Sequence, residues 1–224
     1  MTAKPGRLLV VERRDDVVQF MLNRPHRRNA LDGHLLQELE RRIIAASGDH
    51  AVRAIVLGAA PPVFCAGIDL DWLRELTARD EADLAADLLG NLALAIETSP
   101  VPIVALVDGP AVGAGVALVS AADVVVATDR ATFALPEARA GMIPAGVLPS
   151  LRARIGPNWA AYMAMTAAPV GVEDAHLMGL VHRPTTCDRA ESEVAAVVEH
   201  LARSPRETLA AIKQGWGVGV LPSP

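Results

Sequence analysis

The chain is 224 residues long, 51% hydrophobic and 21% charged, which suits one large domain and excludes a mostly disordered chain. Acidic residues outnumber basic ones, 26 to 21, for a net charge of -5, which argues against the basic face of a nucleic-acid binder. Two cysteines, Cys65 and Cys187, are too few for a disulfide framework or a cysteine zinc site, and with aromatics at 3% the core must be built from Ala, Val, Leu and Ile.

The low cysteine usage implies a reducing compartment, and a cytoplasmic location is expected. Met1 to Arg7 is polar, so no secretory leader is expected. The most apolar stretch, Val101 to Ala127, is broken by Asp108, Gly109, Pro110 and Asp123, so no membrane partner is expected either.

In chain order, Leu8 to Val11 and Val17 to Leu22 are two apolar runs around a charged turn, Arg13 to Asp16, and predict an antiparallel hairpin. Asp32 is positioned as an N-cap, with Leu35, Leu36, Leu39, Ile43 and Ile44 as the apolar face of the helix that follows. Ala54 to Leu57 predicts a buried strand. After a loop over Gly58 to Gly67, Leu84, Leu88, Leu92 and Ile96 form an i, i+4 stripe with Asp80, Glu81, Asp83 and Asp87 around it as a solvated face. Ile103 to Val107 predicts a strand, and a Gly-rich turn opens a helix from about Gly113 to Ala121. Strands follow at Val124 to Ala127 and Thr132 to Ala134. The remainder is expected to be helical: Asn158 to Thr166, Glu173 to Met178 with Gly179 as its stop, a start at Asp188-x-x-Glu191, and another at Ser204-Pro205-Arg206-Glu207.

Several familiar sites are absent from the sequence: a Walker A loop, a Rossmann glycine fingerprint, His-Glu-x-x-His and a Gly-x-Ser-x-Gly elbow. The six histidines show no metal-ligand spacing, so no metal is expected. Four segments stand out instead. These are Leu22-Asn23-Arg24-Pro25 with Asn29-Ala30-Leu31, then Phe64-Cys65-Ala66-Gly67-Ile68-Asp69-Leu70, then Val107-Asp108-Gly109-Pro110-Ala111-Val112-Gly113-Ala114-Gly115. The last is Phe133-Ala134-Leu135-Pro136-Glu137 with Gly141-Met142-Ile143-Pro144. The second and third place small residues where a loop turns into a helix. Unpaired backbone N–H groups point outward there, and the helix dipole favours negative charge. Taken singly, each is also an ordinary tight turn.

In this order and at these intervals the segments resemble the crotonase (enoyl-CoA hydratase/isomerase) superfamily over Leu8 to Lys213. The resemblance implies an α/β fold: a crotonase-like ββα-superhelix core over residues 1–155, a helical and shortened C-terminal region over 156–214, and a loose tail over 215–224. It implies an acyl-CoA thioester as substrate, with coenzyme A as part of that substrate and no prosthetic group, and a homo-trimer or hexamer. By the same resemblance the backbone N–H groups of Ile68 and Ala114 form an oxyanion hole for the thioester carbonyl. Ala114 stands where glycine is usual in the family, and its methyl group leaves the N–H intact.

The resemblance also places coenzyme A against His26, Arg27 and Arg28, against Ala66, Gly67, Ile68, Asp69 and Leu70, and against Val112, Gly113, Ala114 and Pro136. For His26, Arg27 and Arg28 a solvated basic turn is the alternative, and both readings stay open. Of the two glutamates that flank the substrate in hydratases of the superfamily, one position falls on Ala117 and the other on Glu137. A single shuttling glutamate favours a Δ3-Δ2-enoyl-CoA isomerase; for Glu137 the plainer reading is a helix-start residue after Pro136. Enoyl-CoA hydratase, thioester hydrolase, decarboxylase or dehalogenase chemistry, and a non-catalytic acyl-CoA binding protein, are the alternatives. Asp71 and Glu75 are nearby acids that could replace the missing one only if they point inward, and a surface position is expected for both; Trp72, Leu73 and Leu76 are expected to line or cover the acyl tunnel.

Overall fold

The aliphatic runs of the chain assemble into two sheets in a computed structural model that describes residues 7–218. The larger sheet holds β1 (Leu9–Arg14), β2 (Val17–Leu22), β3 (Ala54–Ala59), β4 (Ile103–Val107), β6 (Val124–Thr128) and β9 (Arg183–Thr185), in the order β1-β2-β3-β4-β6-β9. Only β1 and β2 are antiparallel; β2 to β9 run parallel. The smaller sheet is β5 (Ala111–Val112), β7 (Thr132–Ala134) and β8 (Val170–Gly171). Single bridges Leu31–Ile68 and Cys65–Ala111 extend it. After β3, β4 and β6 the chain turns a corner into the small layer before the next helix, which is the stacked strand–strand–helix superhelix.

The helices are α1 (Gly33–Gly48), α2 (Leu70–Ala78), α3 (Asp83–Glu97), α4 (Ala114–Ala121), α5 (Leu148–Thr166), α6 (Val172–Leu177), α7 (Ala190–Ala202) and α8 (Arg206–Val218). Asp32 caps α1 by accepting from the Leu35 N–H at 2.9 Å, as its position predicts. All eight residues of α4 are buried. Its Ala, Gly and Val side chains let neighbouring backbone approach closely, so the helix serves as the central post of the fold.

Several expectations need correction. The first strand runs through Arg14, and the turn shrinks to Asp15–Asp16, with Asp15 at φ 54°. Ile44 is 56% exposed; at about 100° per residue it points roughly 125° away from the mean direction of Leu35, Leu36, Leu39 and Ile43. On α3 the buried face is Ala85, Leu89, Leu92, Ala93 and Ile96, while Leu84 is exposed. The helix turns its alanines to the core, because α3 packs closely on α1 and α4 and small residues suit that approach. The helix expected over Asn158 to Thr166 is present, and a further helical stretch, not expected from the sequence, precedes it from Leu148, the two meeting at a break at Gly156, where φ is 75°. The start expected at Asp188 falls at Ala190 after a short 3-10 turn.

The C-terminal region is not all helix, since β8 and β9 lie within it and β9 pairs with β6. Residues 215–218 of the expected loose tail belong to α8, and 219–224 lie outside the described residues. Helix α8 is held to the core by Lys213, whose Nζ contacts Asp123 Oδ2 at 2.8 Å and the Ile96 carbonyl at 2.9 Å. No helix among the described residues is long and apolar enough to cross a membrane.

Candidate active site

The first site loop begins where Cys65 pairs with Ala111. The Cys65 N–H donates to Pro110 O at 3.1 Å, and the Val112 N–H donates to Cys65 O at 2.8 Å. Gly67 then turns the chain at φ +94°. Leu31 grips both sides of the next residue: its N–H donates to Gly67 O, and the Asp69 N–H donates to Leu31 O, each at 2.8 Å. Between these two bonds the Ile68 N–H donates to no group among the described residues.

The second loop ends at Gly113, with φ 53° and ψ -117°, a conformation open to glycine and strained for other residues. Its N–H donates to Ala134 O at 2.9 Å. Ala114 is the first residue of α4, so its N–H has no partner within the helix, and it finds none among the described residues. The two loops touch. A Cβ built on Gly67 would stand 3.6 Å from the Ala114 nitrogen, and one built on Gly113 would stand 3.9 Å from the Gly67 Cα. Both expected donors thus lie on adjoining stretches of backbone, free of other acceptors.

Glu137 completes this arrangement. It sits in a 3-10 turn, Pro136–Ala140, that follows the buried Leu135. A Cβ on Gly113 would lie only 2.6 Å from Glu137 Oε1, so the carboxylate fills the space that the missing side chain leaves. The other oxygen, Oε2, is buried and has no hydrogen-bond partner among the described residues. Burial without a compensating cation pushes the carboxyl up from its ordinary value. Ala117 is fully buried inside α4, and its methyl group supplies no second acid.

The remaining expected site residues separate into two groups. His26, Arg27 and Arg28 are exposed, and Arg28 O accepts from the Ala66 N–H at 3.0 Å, which ties the basic turn to the first loop. Arg27 reaches across to Asp71 at 2.7 Å. Ala66, Ile68, Val112 and Pro136 are half-buried around the glycine pair, and Leu70 is exposed. Asp69, in contrast, turns its carboxylate inward. It accepts from the Asp71 N–H at 3.0 Å and pairs with Arg24 at 3.1 Å, so its side chain caps α2 and does not face a ligand.

Asp71 and Glu75 lie on the surface, as expected, and supply no second acid beside Glu137: Asp71 is paired with Arg27 and Arg74, and Glu75 is exposed. Trp72 packs against Gly33, and Leu76 is buried in the core. Asp108, in the middle of the third segment, binds Arg130 and Thr128. Cys65 is buried, its thiol pushed up to about 12 by burial, which makes it a packing residue and not a nucleophile.

Sequence reasoning missed Arg24 and Asn29. Both are buried, and Asn29 ties the loop together by donating to Ala60 O at 2.7 Å and Val63 O at 2.6 Å. The signal was their place between the first strand pair and the first helix, hidden because arginine and asparagine are surface residues by default. A cavity of about 810 Å³, lined by Val10, Met21, Val56, Leu106, Val194 and Val198 among others, opens on the α7 side of the large sheet; Glu137 and the glycine pair are not part of it. Among the described residues no three His, Cys, Asp or Glu side chains converge to hold a metal ion.

A superhelical α/β core whose two glycine turns meet beside a half-buried carboxylate is the class of architecture that these observations define. The chain belongs to the enoyl-CoA hydratase/isomerase family, whose model matches residues 12–217. It is 35% identical over 206 residues to a probable enoyl-CoA hydratase of Rhodobacter capsulatus, covering 89% of this chain and 77% of that protein. It is 29% identical over 217 residues to the mitochondrial enoyl-CoA hydratase domain-containing protein 3 of Danio rerio, covering 96% and 74%. Its structure matches that of Pseudomonas aeruginosa AtuE with a TM-score of 0.90 at 33% identity, over 93% of this chain and 82% of that one.

Proposed function

We propose that the chain isomerises 3-enoyl-CoA thioesters to 2-enoyl-CoA, with Glu137 as the single acid–base group. The observation that carries this is the lone carboxylate beside the glycine pair, with one oxygen buried and unpartnered and an alanine at position 117. Glu137 removes a proton from C2. The electron pair of that C–H bond enters the conjugated system and places negative charge on the thioester oxygen, which accepts hydrogen bonds from the Ile68 and Ala114 N–H groups. Electrons then return through the dienolate, and the protonated Glu137 delivers hydrogen to C4. The double bond moves from C3–C4 to C2–C3 with no net gain or loss of protons. The raised carboxyl suits this exchange, because a shuttle must both take and return a proton near neutral pH.

Coenzyme A enters this reading at the exposed turn His26–Arg28, whose cations suit its phosphates, and at the backbone of 66–70 and 112–114. Self-association as a homo-trimer or hexamer is supported by exposed apolar side chains: Ile143 at 78%, Met165 at 76% and Leu177 at 81% exposure.

Hydration is the second reading, favoured by the names of the relatives at 29% and 35% identity. It requires water to be activated and a proton delivered, work that one carboxylate would have to do alone. The test is incubation with 3-enoyl-CoA in deuterated water. The proposal expects 2-enoyl-CoA to accumulate, with deuterium at C4 in the fraction of turnovers in which the protonated Glu137 exchanges with solvent before delivery, and with the activity lost in Glu137→Gln. Production of 3-hydroxyacyl-CoA from 2-enoyl-CoA without isomerisation supports the hydratase instead. Release of free coenzyme A means a hydrolase, and binding with neither product formed nor exchange at C2 or C4 means a non-catalytic acyl-CoA binder.

A further inference from the structure

We infer that Arg24 is a positioning residue that sets the oxyanion donor at Ile68, an inference that rests on the enolate reading above. The Ile68 N–H is aimed by the two bonds that Leu31 makes on either side of it. Arg24 in turn clasps both partners of that bridge. Its Nη1 donates to Ala30 O at 2.7 Å and stands 3.1 Å from Asp32 Oδ2, so it holds the residues before and after Leu31. Its Nη2 stands 3.1 Å from Asp69 Oδ2, the residue after Ile68. The Arg24 side chain is only 11% exposed and that of Asp69 only 9%.

The chemistry of this clasp explains why an arginine is present. A guanidinium offers donors in a rigid planar fork, so one side chain binds two carboxylates and a carbonyl in fixed directions. A lysine ammonium retains the charge and lacks the fork. Asp69 shares in the device through its second oxygen, which caps α2. The start of α2, the donor loop and the entrance to α1 are therefore joined at a single cation. Asn29 fixes the same cation's backbone, its Oδ1 accepting from the Arg24 N–H at 2.8 Å. A rotation of the Ile68 peptide would break the Leu31 bonds or draw Asp69 off Arg24. A developing negative charge on the thioester oxygen thus meets a donor that does not have to reorient, the condition under which such donors act on the transition state.

The test compares the full-length native chain with Arg24→Lys and with the neutral double variant Arg24→Gln/Asp69→Asn, which leaves no buried charge unpaired at that pair. Arg206→Gln is the control. That arginine also binds carbonyls, those of Ser47, Asp49 and Val52, far from the donor loop. Amide hydrogen exchange of the free protein is read at Leu31 and Asp69, the two protected N–H groups of the bridge. Both Arg24 variants are expected to exchange there about 10-fold faster, with 111–117 changed less than about 2-fold. In turnover, kcat falls about 10-fold or more while KM for the thioester stays within about 3-fold, because the donor acts mainly on the transition state.

The control is expected to lose thermal stability and to change neither reading. Unchanged exchange at Leu31 and Asp69 overturns the inference. So does acceleration spread evenly over the molecule, or an unaltered kcat where exchange has risen. A native chain that moves no proton at C2 refutes the enolate reading. In that case the exchange data still decide whether Arg24 holds the loop.

Discussion

Gly113→Ala is the substitution that probes the site most directly. Two costs follow from the geometry. First, Gly113 has φ 53° and ψ -117°, and holding an alanine there costs about 1–3 kcal/mol of stability. Second, the new methyl carbon would stand 2.6 Å from Glu137 Oε1, where ordinary contact begins at 3.4 Å. The carboxylate must retreat by about 0.8 Å, and a misplacement of about 1 Å at a reacting group costs on the order of 100-fold in rate. The assay is single-turnover conversion of 3-enoyl-CoA by folded variant, with urea unfolding measured in parallel. The expected result is a fall in the rate of the chemical step of about 100-fold with coenzyme A thioester still bound, together with the stability loss above. A variant that unfolds more easily and yet transfers the C2 proton at the native rate would show that Glu137 does not act from this position.

Glu137→Gln is expected to lower kcat about 100-fold or more and, at neutral pH, to raise stability. A carboxyl whose folded value is raised favours its protonated form, so the cost of burying its charge begins above the ordinary value, grows with pH and is complete above the raised one. The stability gain of the glutamine variant should therefore vanish as pH falls below the ordinary carboxyl value of 4.5, which urea titrations at several pH values will show. The acidic limb of kcat/KM should lie above 4.5 for the same reason. Lys213→Met leaves Asp123 in a place where burial outweighs its remaining partners and already pushes its carboxyl up. Breaking such a pair costs about 3–5 kcal/mol, measurable by chemical denaturation with little change in KM. Asp71→Asn frees Arg27, and the dissociation constant for coenzyme A should fall by less than about 10-fold, with the gain shrinking as salt is raised.

The sequence made the strands legible wherever apolar residues ran without interruption. Ile103–Val107 occurs with the predicted bounds, because buried parallel strands need continuous aliphatic side chains and little else. Helix faces were less legible. Of the stripe Leu84, Leu88, Leu92 and Ile96, the last two are buried and Leu88 is half-buried, while Leu84 is turned out, since a large apolar residue is not always the one buried. Where two helices approach closely, Ala85 and Ala93 take the contact and Leu84 is turned out to 41% exposure.

In the site the same division holds, for a physical reason. Glycines and the Pro-Glu pair are legible because their backbone demands are local: Gly67 at φ +94° and Gly113 at φ +53° are turns that few other residues can make. Arg24, Asp32, Asn29 and Asp69 are illegible as a group, because their roles exist only once 45 residues of chain separation between Arg24 and Asp69 have closed. In the sequence Arg24 is one of a basic run that suits phosphate, while in the fold it faces away from Arg27 and Arg28 into two carboxylates. Residues that touch substrate can be found from short motifs, because chemistry fixes their type and the turn fixes their spacing. The residues that hold those motifs still are polar groups buried by long-range closure, and a rule that places polar side chains on the surface assigns them to solvent. Substitutions chosen from motifs alone will therefore test the donors and the base while leaving their supports untouched. A fall in kcat caused by Arg24 would then be mistaken for a lost phosphate contact unless KM and loop exchange are measured beside it.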